Sequence, residues 1–148
     1  MSRPTHDAPA TVFIVDDDEA VRDSVQVLLE ARGFVAAAFE SAAAVLAALE
    51  ARRPACLVVD LHMPAVNGID LLKTLIVRDI RLPVVMITGR IDRTSRRWAQ
   101  EAGAAIVLEK PFTDAELFEA IRAARLVAAD AERGIGRIPD CPTSMSAQ

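Results

Sequence analysis

The most constraining feature of the sequence is a short apolar run, Ala55-Cys56-Leu57-Val58-Val59, which lies between Pro54 and Pro64 and ends at the carboxylate of Asp60. A run of this length without a polar residue is typical of a strand buried on both faces, as in a parallel sheet. In open parallel sheets, ligands bind just beyond the carboxyl ends of the strands. Asp60 is therefore a candidate nucleophile or metal ligand that a rigid element holds in place.

Four further runs have strand character, and a helical pattern follows each strand. The predicted strands are residues 11–15, 34–39, 55–59, 84–87 and 104–108. Helices are predicted to begin at Asp18, Ser41, Asn67 and Thr113, and a weaker, arginine-rich helix is predicted over residues 91–102. This alternation predicts an α/β fold, a doubly wound five-stranded parallel sheet with five helices on its two faces.

The apolar spacing in the helices predicts which side chains face the core. In the third helix these are Ile69, Leu72, Leu75 and Ile76, and in the last they are Leu117, Ile121 and Ala124. We expect residues 11–129 to form one domain between a flexible leader, residues 1–10, and a disordered tail, residues 130–148, whose composition cannot bury enough surface to order itself.

The composition of the chain argues against several classes of protein, namely nucleic-acid-binding, disulfide-rich and membrane proteins. The net charge of -4 comes from 21 acidic and 17 basic residues, so there is no general basic surface for nucleic acid. The two cysteines, Cys56 and Cys141, are too far apart in the chain to suggest a disulfide framework. The N-terminus has no signal-peptide core, and no apolar stretch is long enough to span a membrane. We therefore expect a cytoplasmic protein that binds neither DNA nor membranes.

Polar side chains follow four of the five predicted strands. Asp16 and Asp17 follow the first, Asp60 the third, Thr88 the fourth and Lys110 the fifth. Because these strand ends meet at one edge of the sheet, the side chains could converge on one site. Neighbouring carboxylates suit Mg²⁺, which binds through a few carboxylates plus a phosphate. A hydroxyl and an ammonium beside them could stabilise a phosphoryl group that Asp60 accepts as an acyl phosphate.

Four motifs carry a family resemblance: Val15 to Asp18, Asp60 to Pro64 followed by Asn67-Gly68, Ile87 to Gly89, and Glu109 to Phe112. In this order and in these strand contexts, residues 11–128 resemble the receiver domain of two-component response regulators (the CheY-like, flavodoxin-like type), and in particular the FixJ-like group. Without a recognisable output domain after residue 130, we expect a single-domain response regulator.

The resemblance implies roles for individual residues. Asp60 would be the phosphoacceptor, and Mg²⁺, or alternatively Mn²⁺, would be held by Asp16, Asp17, Asp60 and the backbone carbonyl of His62. Thr88 and Lys110 would sense the phosphoryl group, with a cis peptide bond before Pro111. The side chains of His62 and Arg90 would tune how long the phosphoryl group survives.

The resemblance also implies partners. A sensor histidine kinase or a histidine phosphotransfer protein would supply the phosphoryl group, and a downstream protein would respond to it. Homodimerisation is common in the family. The protein would not be an enzyme in the usual sense, because it would catalyse only its own phosphorylation and slow dephosphorylation.

Two departures from the family pattern concern signal output. The position three residues before Lys110 is usually aromatic in the family, and here it is Val107, which cannot make the swing of a ring. The fourth helix, usually apolar in the FixJ-like group, is rich in arginine. These departures keep open a degenerate receiver that acts as a phosphorylation-independent docking module.

A third function class is a phosphatase with an aspartyl nucleophile. Such enzymes carry Asp-x-Asp-x-Thr/Val after the first strand, and here Asp16 and Asp18 are followed by Ala20 at the last position. Asp18 is better explained as the N-cap of the first helix.

Overall fold

A computed structural model of the chain describes residues 10–63, 67–89, 93–101 and 106–132. Its strands are β1 (Thr11–Val15), β2 (Val35–Phe39), β3 (Cys56–Asp60), β4 (Val84–Thr88) and β5 (Ile106–Glu109). Its helices are α1 (Glu19–Ala31), α2 (Ala42–Ala51), α3 (Gly68–Val77), α4 (Arg93–Glu101) and α5 (Asp114–Glu132). The predicted alternation of strands and helices is confirmed.

The five strands form one parallel sheet in the order β2-β1-β3-β4-β5. The chain first moves from β1 to one edge and then returns past β1 to build the other side. The order therefore reverses between β1 and β3, and at this point a crevice forms outside the carboxyl ends of the strands. Asp60 ends β3 here, and Asp16 directly follows β1.

The sheet separates two hydrophobic cores, because successive strand residues point to opposite faces. One core lies under α1 and α5 and includes Val25, Leu29, Leu117, Ile121 and Ala124. The other lies under α2, α3 and α4 and includes Val45, Leu49, Leu72, Leu75 and Ala99. Each fully buried leucine or isoleucine contributes about 2 kcal/mol of hydrophobic free energy.

Polar caps start the helices where the sequence predicts them. The Asp18 carboxylate accepts hydrogen bonds from the N–H groups of Ala20 and Val21 at 3.0 and 3.4 Å. Ser41 and Asn67 cap α2 and α3 in the same way. At α5, Thr113 and Glu116 form a reciprocal capping box, with bonds of 2.9 and 3.1 Å.

The end of α1 turns the chain directly into β2. Gly33 has a φ of 90°, a left-handed conformation that glycine adopts without a steric penalty. Its N–H bonds to the Glu30 carbonyl at 3.1 Å, and the Phe34 N–H bonds to the Leu29 carbonyl at 3.1 Å. This pair of bonds is a Schellman motif, which places Phe34 beside the last turn of α1.

The predicted core face of α3 needs one correction. Leu71 is fully buried, whereas Ile76 is 57% exposed. The line of residues that faces the sheet starts at Gly68 and continues at spacings of three and four through Leu75, so Ile76 lies at its margin.

Some predicted boundaries shift by one or two residues. β2 begins at Val35 rather than Phe34, and Thr88 and Glu109 are the last residues of their strands rather than the first residues after them. α5 continues to Glu132, beyond the expected start of the tail at residue 130. The rest of the predicted tail and nearly all of the predicted leader lie outside the described residues, as do the two ends of the predicted fourth helix.

Within the described part, no helix has both the length and the apolar character needed to cross a membrane.

Candidate functional site

Three aspartates converge at the crevice between β1 and β3. Asp16, Asp17 and Asp60 each offer a carboxylate oxygen, and these oxygens all lie within 4.8 Å of one another. Asp16 and Asp60 are buried, and Asp17 is exposed. Carboxylates at this separation repel each other unless a cation or a proton lies between them.

The acidic turn after β1 is held by several hydrogen bonds. The Asp18 N–H donates to Oδ1 of Asp16 at 2.9 Å, and the Asp16 N–H donates to the Phe39 carbonyl at 3.2 Å. Nη1 of Arg22 donates to the Asp16 carbonyl at 2.7 Å. Arg22 was not among the predicted site residues, because nothing in the local pattern indicates that a helix residue six positions later would reach back to this turn.

Asp60 lies in a tight backbone environment. The N–H of His62 donates to Oδ1 of Asp60 at 3.3 Å. A Cβ atom at Gly68 would lie 2.7 Å from the Asp60 carbonyl oxygen and 2.8 Å from Sδ of Met86. Only glycine therefore fits at the start of α3. No pattern in the local sequence indicates that the absence of a side chain at Gly68 makes room for the Asp60 backbone.

Lys110 lies between the two buried carboxylates. Its Nζ is 3.7 Å from Oδ2 of Asp16 and 3.8 Å from Oδ1 of Asp60. The Lys110 N–H donates to the Thr88 carbonyl at 2.8 Å, which fixes this loop to the end of β4. The peptide bond from Lys110 to Pro111 is cis, in agreement with the prediction.

Thr88 and His62 meet at the same edge of the sheet. Thr88 is fully buried, and its Oγ1 lies 3.3 Å from Nε2 of the His62 imidazole. The structure thus brings six of the predicted site residues together: Asp16, Asp17, Asp60, His62, Thr88 and Lys110. Their individual roles remain predictions, and Arg90 lies outside the described residues.

The electrostatics of the site act mainly on Asp60. Burial and then the negative charge of Asp16 raise the pKa of Asp60 from 3.8 to about 6, although Lys110 and the His62 N–H lower it. A carboxylate with this pKa is mostly ionised at neutral pH but is still basic enough to be a nucleophile.

The donor set fits a divalent cation. Three carboxylates face a single ammonium within this cluster, so the local charge is negative even with Lys110 in place. Carboxylate oxygens are the ligands that Mg²⁺ prefers. The predicted ligands Asp16, Asp17 and Asp60 therefore suit this ion, and the predicted contribution of the His62 carbonyl stays a prediction.

Two other sequence expectations concern neighbouring residues. Asp18 is the N-cap of α1, as predicted, and its carboxylate accepts hydrogen bonds from the helix N–H groups of Ala20 and Val21. Val107 is partly buried and packs against the core under α2, α3 and α4. It pairs with Met86, whose Sδ is one of the atoms that a side chain at Gly68 would meet.

Comparisons with known proteins agree with this geometry. A family model, the response regulator receiver domain, matches residues 12–122. The transcriptional regulatory protein FixJ of Rhizobium meliloti is 43% identical over 124 residues, which cover 82% of this chain and 61% of FixJ. FixJ of Azorhizobium caulinodans is 42% identical over 112 residues, which cover 76% of this chain and 53% of that protein. The chain thus spans little more than half the length of these relatives.

The structural comparison gives the same result. The crystal structure of FixJ-N has a TM-score of 0.75 and 40% sequence identity, and the match covers 80% of this chain and 95% of that one. Both the predicted fold and the predicted resemblance are confirmed. The chain belongs to the response regulator receiver domain family, whose members take part in two-component signal transduction.

Proposed function

We propose that this chain accepts a phosphoryl group on Asp60, in a Mg²⁺-dependent transfer from a phosphohistidine of a histidine kinase or a phosphotransfer protein. The observation that carries the proposal is the position of the Asp60 carboxylate, buried at the end of β3, beside Asp16 and Asp17 and 3.8 Å from Nζ of Lys110. Receiver domains generally bind Mg²⁺ at such an acidic pocket and interact with histidine kinases and downstream targets.

In the transfer, an oxygen of Asp60 forms a bond to phosphorus as the bond from phosphorus to the donor's imidazole nitrogen breaks. The imidazole leaves with the electron pair and takes up a proton. Asp60 must be ionised to attack, and its pKa of about 6 leaves most of the population ionised at pH 7. A bound Mg²⁺ would neutralise charge on the transferring group, and Asp16 and Asp17 would hold it.

Lys110 and Thr88 would respond to the new charge. Lys110 now contacts Asp16 and Asp60 at almost equal distances, so it can pair with a phosphoryl oxygen through a small movement of Nζ. The Thr88 hydroxyl would donate to another phosphoryl oxygen, and this would replace its present contact with His62. Positioned charges and donors would carry the reaction, as in other phosphoryl transfers.

The response would be a change in protein contacts. Thr88 ends β4, and its strand neighbour β5 carries Val107 in the position that is usually aromatic. Since valine has no ring to swing, movement of Thr88 would be passed on by shifts of the β4 and β5 backbones. We propose that the chain signals in this way and that its only catalysis is its own phosphorylation and slow dephosphorylation.

Labelling with acetyl phosphate tests this function. The intact mass should rise by one phosphoryl group in the presence of Mg²⁺ and should stay unchanged with EDTA. Asp60→Asn should abolish the gain, whereas Asp23→Asn, at an exposed carboxylate of α1, should leave it intact. Equal labelling of the wild type and Asp60→Asn would refute the proposal. It would also be refuted if none of the phosphorylated histidine kinases of the source organism transferred a phosphoryl group to the wild type.

A further inference from the structure

An open groove between the end of α1 and one side of α5 is not used by the Asp60 site. Its volume is about 560 Å³. On α5, its lining residues Phe118, Ile121, Arg122, Arg125 and Leu126 follow one another at spacings of three, one, three and one, so they form a single stripe of the helix. The groove is therefore a helix face that is left uncovered, with the end of α1 as its other wall.

The floor of the groove is apolar. Phe34 stacks against Phe118, with ring centroids 6.4 Å apart and an angle of 13° between the planes. Ile121 is buried beneath them, and Leu126 is 55% exposed. When a partner's side chain covers an apolar surface of this kind and removes it from water, the burial stabilises the complex.

The rim of the groove is cationic. It carries Arg32, Arg122 and Arg125, although the chain as a whole has a net charge of -4. Arg122 pairs with Glu119, and the Arg32 guanidinium lies 4.1 Å from the centroid of the Phe118 ring. Among the residues that the structure describes, neither Arg32 nor Arg125 forms an ion pair. Two guanidinium groups therefore remain available for carboxylates of a partner.

We propose that this groove docks an acidic segment of a partner protein. An aliphatic or aromatic side chain of the segment would pack against the exposed Leu126, and flanking carboxylates would pair with Arg32 and Arg125. Arginine and aromatic residues are enriched at the centres of protein interfaces and supply much of the binding energy there. The bidentate geometry of guanidinium also suits carboxylates.

Other occupants fit the groove less well. The Phe118 ring already stacks with Phe34 and carries the Arg32 guanidinium, so a flat nucleobase would compete with contacts that the chain makes itself. The sequence after Glu132 carries Arg133 and Arg137 against the single acidic residue Asp140, so it does not complement a cationic rim.

The groove is separate from the phosphorylation site. Arg32 and Phe34 precede the start of β2, whereas Asp60 lies at the opposite, carboxyl end of β3. None of the residues that line the groove contributes to the Asp60 site. The proposal therefore goes beyond phosphoryl transfer and does not depend on it.

A displayed library of random peptides, selected against the full chain, tests the proposal without knowledge of the partner. We expect the enriched peptides to share an apolar anchor flanked by Asp or Glu. When these peptides are synthesised, Arg125→Glu should weaken their binding by about 10-fold or more. Arg125→Gln, which keeps the size of the side chain, should weaken it less. Arg97→Glu is the matched control, because it makes the same charge change at an exposed arginine of α4, on the other face of the sheet.

The outcomes separate the alternatives. Circular dichroism of each variant verifies that it is folded. Enriched peptides without acidic residues, or acidic peptides that bind Arg125→Glu as tightly as the wild type, would overturn the proposal. Sedimentation of the wild type as a dimer that Arg125→Glu dissociates would also overturn it, since a second copy of the chain would then be the occupant.

Discussion

The Asp60 site and the groove on α5 both carry cations, but they use them in opposite ways. At the site, Lys110 contacts two buried carboxylates of the same chain, and its charge is largely compensated. At the groove, Arg32 and Arg125 face solvent over an apolar floor and pair with no carboxylate in the described structure. The first arrangement is preorganised for chemistry within the chain, and the second is complementary to something outside it.

The difference has a physical origin in how each region is built. The ends of parallel strands hold the site. Its side chains therefore have little conformational freedom, and burying its charged groups costs free energy of desolvation. One stripe of α5 and the two residues Arg32 and Phe34, which follow α1, form the groove, and charges on its rim cost little because water still solvates them. Substitutions at the site should therefore change both stability and chemistry, whereas substitutions at the rim of the groove should change binding and have only a small effect on stability.

The largest effect is expected from Lys110→Ala. Loss of the ammonium leaves the charges of Asp16 and Asp60 uncompensated and removes a group that would stabilise the transferring phosphoryl group. We expect the rate of labelling by a phosphodonor to fall by about 100-fold, as for other preorganised donors in transfer sites. Lys73→Ala, at an exposed lysine of α3, is the control. A rate within twofold of the wild type would show that Lys110 is only a structural ion-pair partner.

Gly68→Ala should be costly for stability. Its Cβ would press on the Asp60 carbonyl and on Met86, so β3 and α3 would have to separate. We expect a loss of about 2 to 3 kcal/mol in the free energy of unfolding, measured by urea denaturation. Gly89→Ala is the matched control, because a Cβ there meets no atom within 4 Å. Equal losses for the two variants would contradict the tight contact below Asp60.

The raised pKa of Asp60 predicts a pH dependence of stability in metal-free buffer. Because the folded state holds this proton more tightly than the unfolded chain, the stabilisation is fully present below pH 3.8 and is lost as the pH rises to about 6. Relative to the wild type, Asp60→Asn should thus gain about 1 to 3 kcal/mol over this range, and the gain should stay constant above it. Parallel stability profiles for the two proteins would mean that Asp60 titrates normally.

The smallest effect is expected at the groove. Arg32→Ala removes a cation over the Phe118 ring at a surface position, which should cost about 0.5 kcal/mol or slightly more. Labelling of Asp60 should be unchanged. A loss of several kcal/mol in denaturation experiments would show that the rim of the groove is part of the fold and would remove the contrast with the site.

The convergence of the predicted site residues could be predicted from the sequence, because the residues lie at or directly after the ends of the strands. Asp16, Asp60, Thr88 and Lys110 each follow or end an apolar run, and the parallel topology then brings them to one edge. Caps such as Asp18 and Thr113 were equally predictable, because each bonds within three residues of itself.

The features that were missed depend on contacts between elements that are distant in the sequence. The closeness of Gly68 to Asp60 depends on how α3 packs on β3, and the hydrogen bond from Arg22 depends on the angle at which α1 leaves the acidic turn. The groove combines Phe34, the residue directly before β2, with Phe118 from α5, and no local pattern links them. The exposure of Ile76 could not be predicted for a related reason. Periodicity indicates which face of a helix packs on the sheet, but it does not indicate how wide the packed part of that face is.

The most direct test of the central claim locates the acyl phosphate itself. After labelling by a phosphorylated histidine kinase, borohydride reduction converts a phosphorylated aspartate into homoserine, which peptide mass spectrometry can place in the sequence. We expect homoserine at position 60 alone, and none when Mg²⁺ is removed or when the protein carries Asp60→Asn. Homoserine at position 16 or 17, or a label that survives in Asp60→Asn, would contradict the assignment of Asp60 as the phosphoacceptor.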